Sequence, residues 1–343
     1  MIKQSYLSYI KSRTDCNPFT KDNYLPLITA PMSSVINEFN YKLFTDNNIQ
    51  VCLPRTIENW FWEENVFIAM SLNDFVDEFL KKTLSFIGKR YVCIDTANGN
   101  LKVLHDAIIA AKKIHGNNII IMSGNVASVD AFIELAKTDC DYIRVGIGGS
   151  IGCTTTRNTG IGQEDLEKLI HACKFHVTNK KVDVKIVADG ISTYIKQCEF
   201  KYGFNDNGYA AINKLLYSGA DLIMVGTLFA HCVESATNKY IKVNDNYHSI
   251  SQNEAIDDFP SLDLYGKHYG MSTTHAQSFY NDQIKPSEGS IVYIPIKYSL
   301  KQWVYGCESQ DNYPYLSGYI NSLKSAMSYT NSLTLNNFKQ FSL

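Results

Sequence analysis

One segment gathers the residue types of covalent catalysis. Gly146-Ile-Gly-Gly-Ser-Ile-Gly-Cys153-Thr-Thr-Thr-Arg-Asn-Thr-Gly160-Ile-Gly162 surrounds one cysteine with glycines and hydroxyls. Glycines let backbone N–H groups approach an anion, or carbonyls approach a cation. A cysteine on such a loop becomes a nucleophile once its thiolate is favoured. The contrasting reading is an inert buried thiol, which suits Cys93, Cys140 and Cys173. Cys153 has polar neighbours and suits the nucleophile.

Two further segments suit a nucleotide. Ala188-Asp189-Gly190 and Gly226-Thr227 each close an apolar run, and the second opens the helix-compatible LFAHCVESA. A helix N-terminus beside a glycine turn is a place for phosphate. Asp189 would repel a phosphate but suits a ribose diol, since a carboxylate accepts from both hydroxyls. Together they point to a nucleoside monophosphate. A flat base needs an apolar shelf, which Met32 or Met271 can supply, although each taken alone reads as core packing. Glu288, in Pro286-Ser-Glu-Gly289, is either a solvated turn residue or a proton carrier for chemistry at Cys153. His105, His171 and His176 fall on helical stretches and read as structural.

These residues need a scaffold. Apolar runs recur at 25–32, 49–55, 91–99, 118–126, 142–149, 184–191 and 220–227, with a weaker one at 264–272. Most are apolar on consecutive positions, as in parallel strands buried on both faces. Stretches of helical period lie between them at 101–115, 129–137, 165–175 and 209–220. Eight alternating units predict an α/β fold, a (β/α)8 TIM barrel, with a doubly wound open sheet as the structural alternative. The runs end in APM, LPR, TANG, SGN, GIGG, ADG, VGT and GMS, at the barrel face where function sits. A single domain over 1–343 is expected. The barrel would occupy about 22–290, and 192–208 would be a long loop or short-helix insertion. An irregular tail, about 291–343, would pack on the barrel or reach a neighbouring subunit.

Composition bounds the function. Hydrophobic residues make up 45% and charged residues 19% of the 343 positions, which excludes a disordered chain. Lys+Arg 32 against Asp+Glu 34 leaves −2, so no global basic field exists for nucleic acid. The longest apolar runs are too short to span a bilayer, and MIKQSYLSYIKSR lacks a signal peptide's apolar stretch. Nine cysteines without a CxxC pair read as reduced thiols of a cytoplasmic protein and disfavour structural zinc.

Eight pieces in unbroken order over about 22–335 resemble the IMP dehydrogenase/GMP reductase family. They are LPLITAPMSSV (25–35), CIDTANGN (93–100), SGNVAS (123–128), VGIGGSIGCTTTRNTGIG (145–162), VADG (187–190), SGADLIMVGTLFAHCVES (218–235), YGMS (269–272) and SEG (287–289). The resemblance implies that Cys153 attacks C2 of a purine to form a covalent thioimidate. The dehydrogenase then oxidises IMP with NAD and hydrolyses the adduct. The reductase expels ammonia from GMP and reduces the adduct with NADPH, giving IMP. Three features resemble the reductase. No CBS module interrupts the chain, Ala97-Asn98-Gly99 has the reductase form, and the segment between Met271 and Glu288 has no arginine for a water-activating flap.

Carried over motif by motif, Cys153, Thr155 and Glu288 are catalytic, the last two relaying a proton to the departing ammonia. Asp189 takes the ribose, while Gly190, Gly226 and Thr227 form the phosphate loops, with Tyr269 and Gly270 beside them. Met271 and Ser272 lie by the base, and Met32, Asn125 and Ser150 fall among the substrate positions. Asp95, Asn98 and Gly99 fall on the nicotinamide side. Gly148 and Cys153 offer carbonyls to a monovalent cation such as K+. The resemblance also implies a homotetramer acting on GMP and IMP.

The chain departs from the family pattern in places. Ser150 stands three residues before Cys153 rather than two, Arg157 is one position late, Ile191 replaces a glycine, and Leu53-Pro54-Arg55 replaces a His- or Lys-containing stretch. Two alternatives follow: an IMP dehydrogenase without CBS domains, or a catalytically silent purine-nucleotide-binding protein. Cys153→Ala is expected to abolish turnover and leave nucleotide binding largely intact. Retained turnover, measured beside nucleotide affinity, would exclude the covalent route.

Overall fold

The computed structural model describes residues 1–82, 86–149, 155–259, 261–270, 273–278, 290–300 and 315–339. Eight short strands run parallel: β1 Leu27–Thr29, β2 Val51–Leu53, β3 Val66–Met70, β4 Arg90–Asp95, β5 Ile119–Val126, β6 Tyr142–Val145, β7 Lys185–Ala188 and β8 Leu222–Val225. Their neighbour order is β1-β8-β7-β6-β5-β4-β3-β2. The ring is completed between β1 and β2 by a bridge from Ile28 to Gln50, where the Thr29 N–H donates to the Gln50 carbonyl at 3.0 Å. The chain is thus the (β/α)8 barrel that the recurrent apolar runs predict.

Burial on both faces explains those runs. Every residue of β1, β2, β3, β6 and β8 is buried. One set of side chains fills the barrel interior, where the Phe67 ring stands edge-on to Tyr91 and Tyr142 at 5.4 and 5.3 Å. The other set faces the helices. The barrel's connections carry α1 Tyr41–Thr45, α2 Leu72–Val76, α3 Lys102–His115, α4 Val129–Ala136, α5 Thr155–Thr159, α6 Leu166–Lys180, α7 Ile191–Tyr202 and α8 Tyr209–Tyr217. Ser71, Ser128 and Asp165 cap α2, α4 and α6, each accepting a backbone N–H that the helix leaves unbonded.

A one-turn helix, α9 Thr227–Ala230, follows β8. Next comes an antiparallel sheet of β9 Lys239–Val243, β10 Asn246–Ile250, β11 Leu264–His268 and β12 Val292–Pro295, in the order β10-β9-β11-β12. Helices α10 Gln252–Asp258 and α11 Thr274–Gln277 flank it, and α12 Tyr315–Tyr329 and α13 Leu335–Phe338 follow. Helix α12 lies on α8: the Tyr209 hydroxyl donates to the Tyr315 carbonyl at 2.8 Å, and Asn213 donates to Ser322 at 3.0 Å. Among the described residues, no helix is long and apolar enough to cross a membrane.

The structure corrects one strand. The run at 264–272 is not a barrel strand; residues 264–268 of it form β11 of the antiparallel sheet. The barrel strand missing from the sequence reading is β3, whose five residues are all buried. The two differ as period predicts: β11 alternates buried and half-buried residues, while β3 is apolar throughout. With β3 counted, the Asp189-Gly190 and Gly226-Thr227 turns follow β7 and β8. Of the two readings of 192–208, the helical one holds: most of the segment is α7, which ends at Gly203 in the left-handed conformation.

Phe67→Ala opens a cavity between two tyrosines in the barrel interior, and a loss of about 3–5 kcal/mol is expected. Urea unfolding checks this as a lower midpoint at unchanged slope.

Candidate active site

The site is built on a buried arginine. Arg144 sits inside β6, whose residues are otherwise apolar, and its side chain is 8% exposed. Its Nη1 donates to Asp95 Oδ1 at 2.8 Å, at the end of β4. Its Nη2 and Nε donate to Asp189 Oδ2 at 2.9 and 3.2 Å, just past β7. Arg55, beyond β2, closes on Asp95 from the other side, with Nε 3.1 Å from Oδ2 and a further bond to the Asp95 backbone carbonyl. Asn125, on β5, donates to Asp189 Oδ2 at 2.7 Å and to the Gly146 carbonyl at 2.6 Å. The Gly190 N–H donates to Asp189 Oδ1 at 2.6 Å. A polar chain, Arg55–Asp95–Arg144–Asp189–Asn125, therefore crosses the barrel mouth.

Two cations balance two anions along it. Burial pushes the Asp95 pKa up, but the Arg55 and Arg144 guanidiniums together outweigh it and hold the carboxyl at about 2. Burial also opposes the Arg144 charge, and the facing carboxylates overcome it. Beneath Arg144, Nη1 lies 3.6 Å from Cys93 Sγ. A hydrogen bond from Cys52 draws the Cys93 pKa down, with help from the Arg144 charge and against burial. Burial instead pushes the Cys173 thiol up to about 12 and raises that of Cys140.

Glycines let the loops meet around this chain. A Cβ on Gly149 would overlap the Gly190 carbonyl, and the Gly149 carbonyl accepts the Thr193 N–H of α7 at 2.9 Å. A Cβ on Gly99 would lie 2.7 Å from Gly124 Cα, and the Gly99 N–H donates to the Asn125 carbonyl at 2.9 Å. His105, on α3, holds the Gly99 carbonyl at 3.2 Å and so has a structural task at the edge of the site.

The opposite wall follows β8 and β1. Met32 lies over Gly226, its Sδ 3.0 Å from where a Cβ would be. Ser34, beyond β1, donates to the Tyr269 carbonyl at 3.2 Å, and its Oγ lies 3.0 Å from His268 Nδ1. His268 Nε2 is 3.5 Å from the Thr227 hydroxyl. The Gly270 carbonyl accepts from the Thr273 N–H and hydroxyl.

Most of the predicted positions that can be located fall on these two walls. Asp95, Asn125, Asp189 and Gly190 join through Arg144, and Gly99 packs on the end of β5. Met32, Gly226, Thr227, Tyr269 and Gly270 meet across β8, β1 and β11. Gly148 is in the left-handed region, against Thr156, and Thr155 opens α5. Asn98 is not drawn in: it is exposed, and its Oδ1 accepts the Asn100 N–H. Ser150, Cys153, Met271, Ser272 and Glu288 lie outside the described residues. Sequence reasoning missed Arg144 and His268, and it recorded Arg55 only as a departure. The available signal for Arg144 was a charge inside an apolar strand run. Among the described residues, no group of three or more His, Cys, Asp or Glu is placed to hold a metal.

Residues 77–341 match the family model of the IMP dehydrogenase / GMP reductase domain. The chain belongs to the IMP dehydrogenase/GMP reductase family. It is 26% identical to the GMP reductase of Staphylococcus epidermidis over 311 residues, 85% of this chain and 82% of that protein. It is 29% identical to the GMP reductase of Buchnera aphidicola over 241 residues, 68% of this chain and 58% of that protein. It is 28% identical to the inosine-5'-monophosphate dehydrogenase of Chlorobaculum tepidum over 254 residues, 74% of this chain but 44% of that protein. Membership makes the chain an oxidoreductase of purine nucleotides.

The ion-pair chain gives this family member a defined acid response. The folded Asp95 pKa of about 2 lies below its ordinary 3.8, so ionised Asp95 stabilises the fold. That contribution, on the order of 2 kcal/mol, is complete above about pH 4 and fades as the pH falls toward about 2. Asp95→Asn should lower stability at neutral pH and flatten its decline over that interval. Denaturant unfolding of both proteins at a series of pH values measures this, and equal acid slopes would exclude the coupling.

Proposed function

We propose that this chain is a GMP reductase-like enzyme converting GMP to IMP and ammonia with NADPH, through a bond between Cys153 Sγ and purine C2. The observation that carries the reading is the chain Asp95–Arg144–Asp189, which fixes two carboxylates side by side at the barrel mouth. Asp189 suits the ribose of the nucleotide, because Arg144, Asn125 and the Gly190 N–H hold it in place and fix its direction. Asp95 suits a second ribose diol. Its oxygens keep lone pairs beyond those Arg144 and Arg55 use, and Arg55, 24% exposed, is the outer partner. Those residues fit a dinucleotide. Coverage favours the reductase, since the chain matches 82% of one GMP reductase but 44% of a dehydrogenase. The arginine-free segment between Met271 and Glu288 points the same way.

In this reading the nucleotide phosphate lies at the turns after β7 and β8, among Gly190, Gly226 and Thr227. The Cys153 thiolate forms a C–S bond at C2. Thr155 and Glu288 then deliver a proton to the amine as the C–N bond breaks, because amide ion is too basic to leave unprotonated. NADPH held beside Asp95 would supply a hydride to C2, the C–S bond breaking to return the Cys153 thiolate. A K+ ion held by the Gly148 and Cys153 carbonyls, a homotetrameric assembly and a cytoplasmic location belong to the same proposal.

Mixing the protein with GMP and NADPH should consume the reduced nicotinamide, with IMP and ammonia appearing in equal yield. The assay follows nicotinamide absorbance and both products in parallel. Inactivity here, combined with reduction of NAD by IMP, would make the chain a dehydrogenase instead.

A further inference from the structure

His268 lies outside every role assigned above, yet it joins three loops of the site. It ends β11, immediately before Tyr269 and Gly270, and is fully buried. Nδ1 faces Ser34 Oγ at 3.0 Å, beyond β1, and Nε2 faces Thr227 Oγ1 at 3.5 Å, at the start of α9. The direction of each bond follows from what the end groups can do. The Tyr269 carbonyl only accepts, so the Ser34 proton goes to it at 3.2 Å. Ser34 Oγ must then receive the His268 Nδ1 proton. Burial draws the His268 pKa down to about 4, so the ring is neutral near pH 7 and carries one proton. Nε2 is therefore bare and accepts the Thr227 hydroxyl proton.

This order conflicts with phosphate binding. Phosphate oxygens accept, so Thr227 can serve a phosphate only by turning its proton away from His268. The 3.5 Å contact is the longest in the chain and the easiest to give up. We propose that His268 is a positioning residue for the nucleotide phosphate, which moves its proton from Nδ1 to Nε2 when the anion engages Thr227. Nε2–H then donates to Thr227 Oγ1, and the Ser34 hydroxyl turns from the Tyr269 carbonyl to Nδ1. No net proton is gained or lost. Occupancy of the phosphate turn is thereby passed to the backbone at Tyr269 and Gly270. The inference rests on the proposed function in one respect, that the anion is the phosphate of the nucleotide.

The test uses the full chain labelled with 15N in histidine, with the His268 signals assigned by their loss in His268→Gln. Two-bond proton–nitrogen spectra should show the Nδ1–H form in the free protein and the Nε2–H form with saturating GMP. Guanosine, which lacks the phosphate, should leave the ring unchanged. Calorimetry with GMP runs beside it. If GMP binds and the tautomer stays fixed, the inference fails while the proposed function stands. If GMP does not bind at all, both fail. In turnover, His268→Phe, close in volume, should raise KM for GMP about tenfold and change kcat less than about twofold, since Thr227 and Ser34 lose their partner. His268→Gln keeps one donor and one acceptor and should recover most of that loss. An unchanged KM in the phenylalanine variant would also overturn the role.

Discussion

The site depends on burying one guanidinium. Removing Arg144 from water costs several kcal/mol unless anions meet it in good geometry. Those anions come from β4 and β7, on opposite sides of β6 in the ring. Register decides whether they arrive. Across β5, β6 and β7, Gly124, Arg144 and Val187 lie level, which leaves Asp95 and Asp189 at the strand ends within reach of the guanidinium. Gly124 completes the fit, because a Cβ there would come within 2.7 Å of Arg144 Cβ. A slip of one residue in β6 would turn Arg144 toward the helices and leave both carboxylates without it.

Close approach accounts for Gly99 and Gly149, while Gly124 and Gly190 also adopt positive φ values that favour glycine. Gly99 lies on Gly124, and Gly149 lies on Gly190. Each contact brings a loop backbone against the strand end that carries part of the ion-pair chain. The polar residues that line the mouth are thus held by backbone contacts as well as by charge. Precise placement of this kind is what a site on strand ends offers over one on free loops.

Much of this was legible in the sequence, and the rest was hidden for identifiable reasons. Consecutive apolar runs marked seven of the eight barrel strands, because burial on both faces leaves no polar position to interrupt them. VFIAM of β3 has the same character but directly follows the aromatic-rich NWFWEEN, which blurs its start. Asp189 stood out as a polar residue at the end of an apolar run, while Asp95 and Asn125 were marked by the family resemblance. Arg144 did not, since its meaning lies in partners about fifty residues away in either direction, and only the register brings them together. Asn98 looked equivalent to its neighbours in the motif, but whether a turn residue faces the site or solvent depends on the fold of the turn itself. Cys93 read as one of several buried thiols; its distinction is a Cys52 hydrogen bond and an arginine overhead, neither of which is local in sequence.

The miscounted strand also explains how the two walls differ. Tyr269 and Gly270 close the site as barrel strand ends do, yet they arrive on β11, from a sheet outside the barrel. The wall on β2 to β7 is made of fixed charges, which hold a carboxylate's direction and cannot reverse. The wall at β8, β1 and β11 is made of hydroxyls and one neutral imidazole, each able to donate or accept. In the proposed reading, charges suit the side where ribose hydroxyls find acceptors already aimed. A reversible chain suits the side proposed for the phosphate, because its protons can turn outward without any group changing charge. The antiparallel sheet is therefore part of this wall in its own right: His268, at the end of β11, links Ser34 beyond β1 to Thr227 after β8.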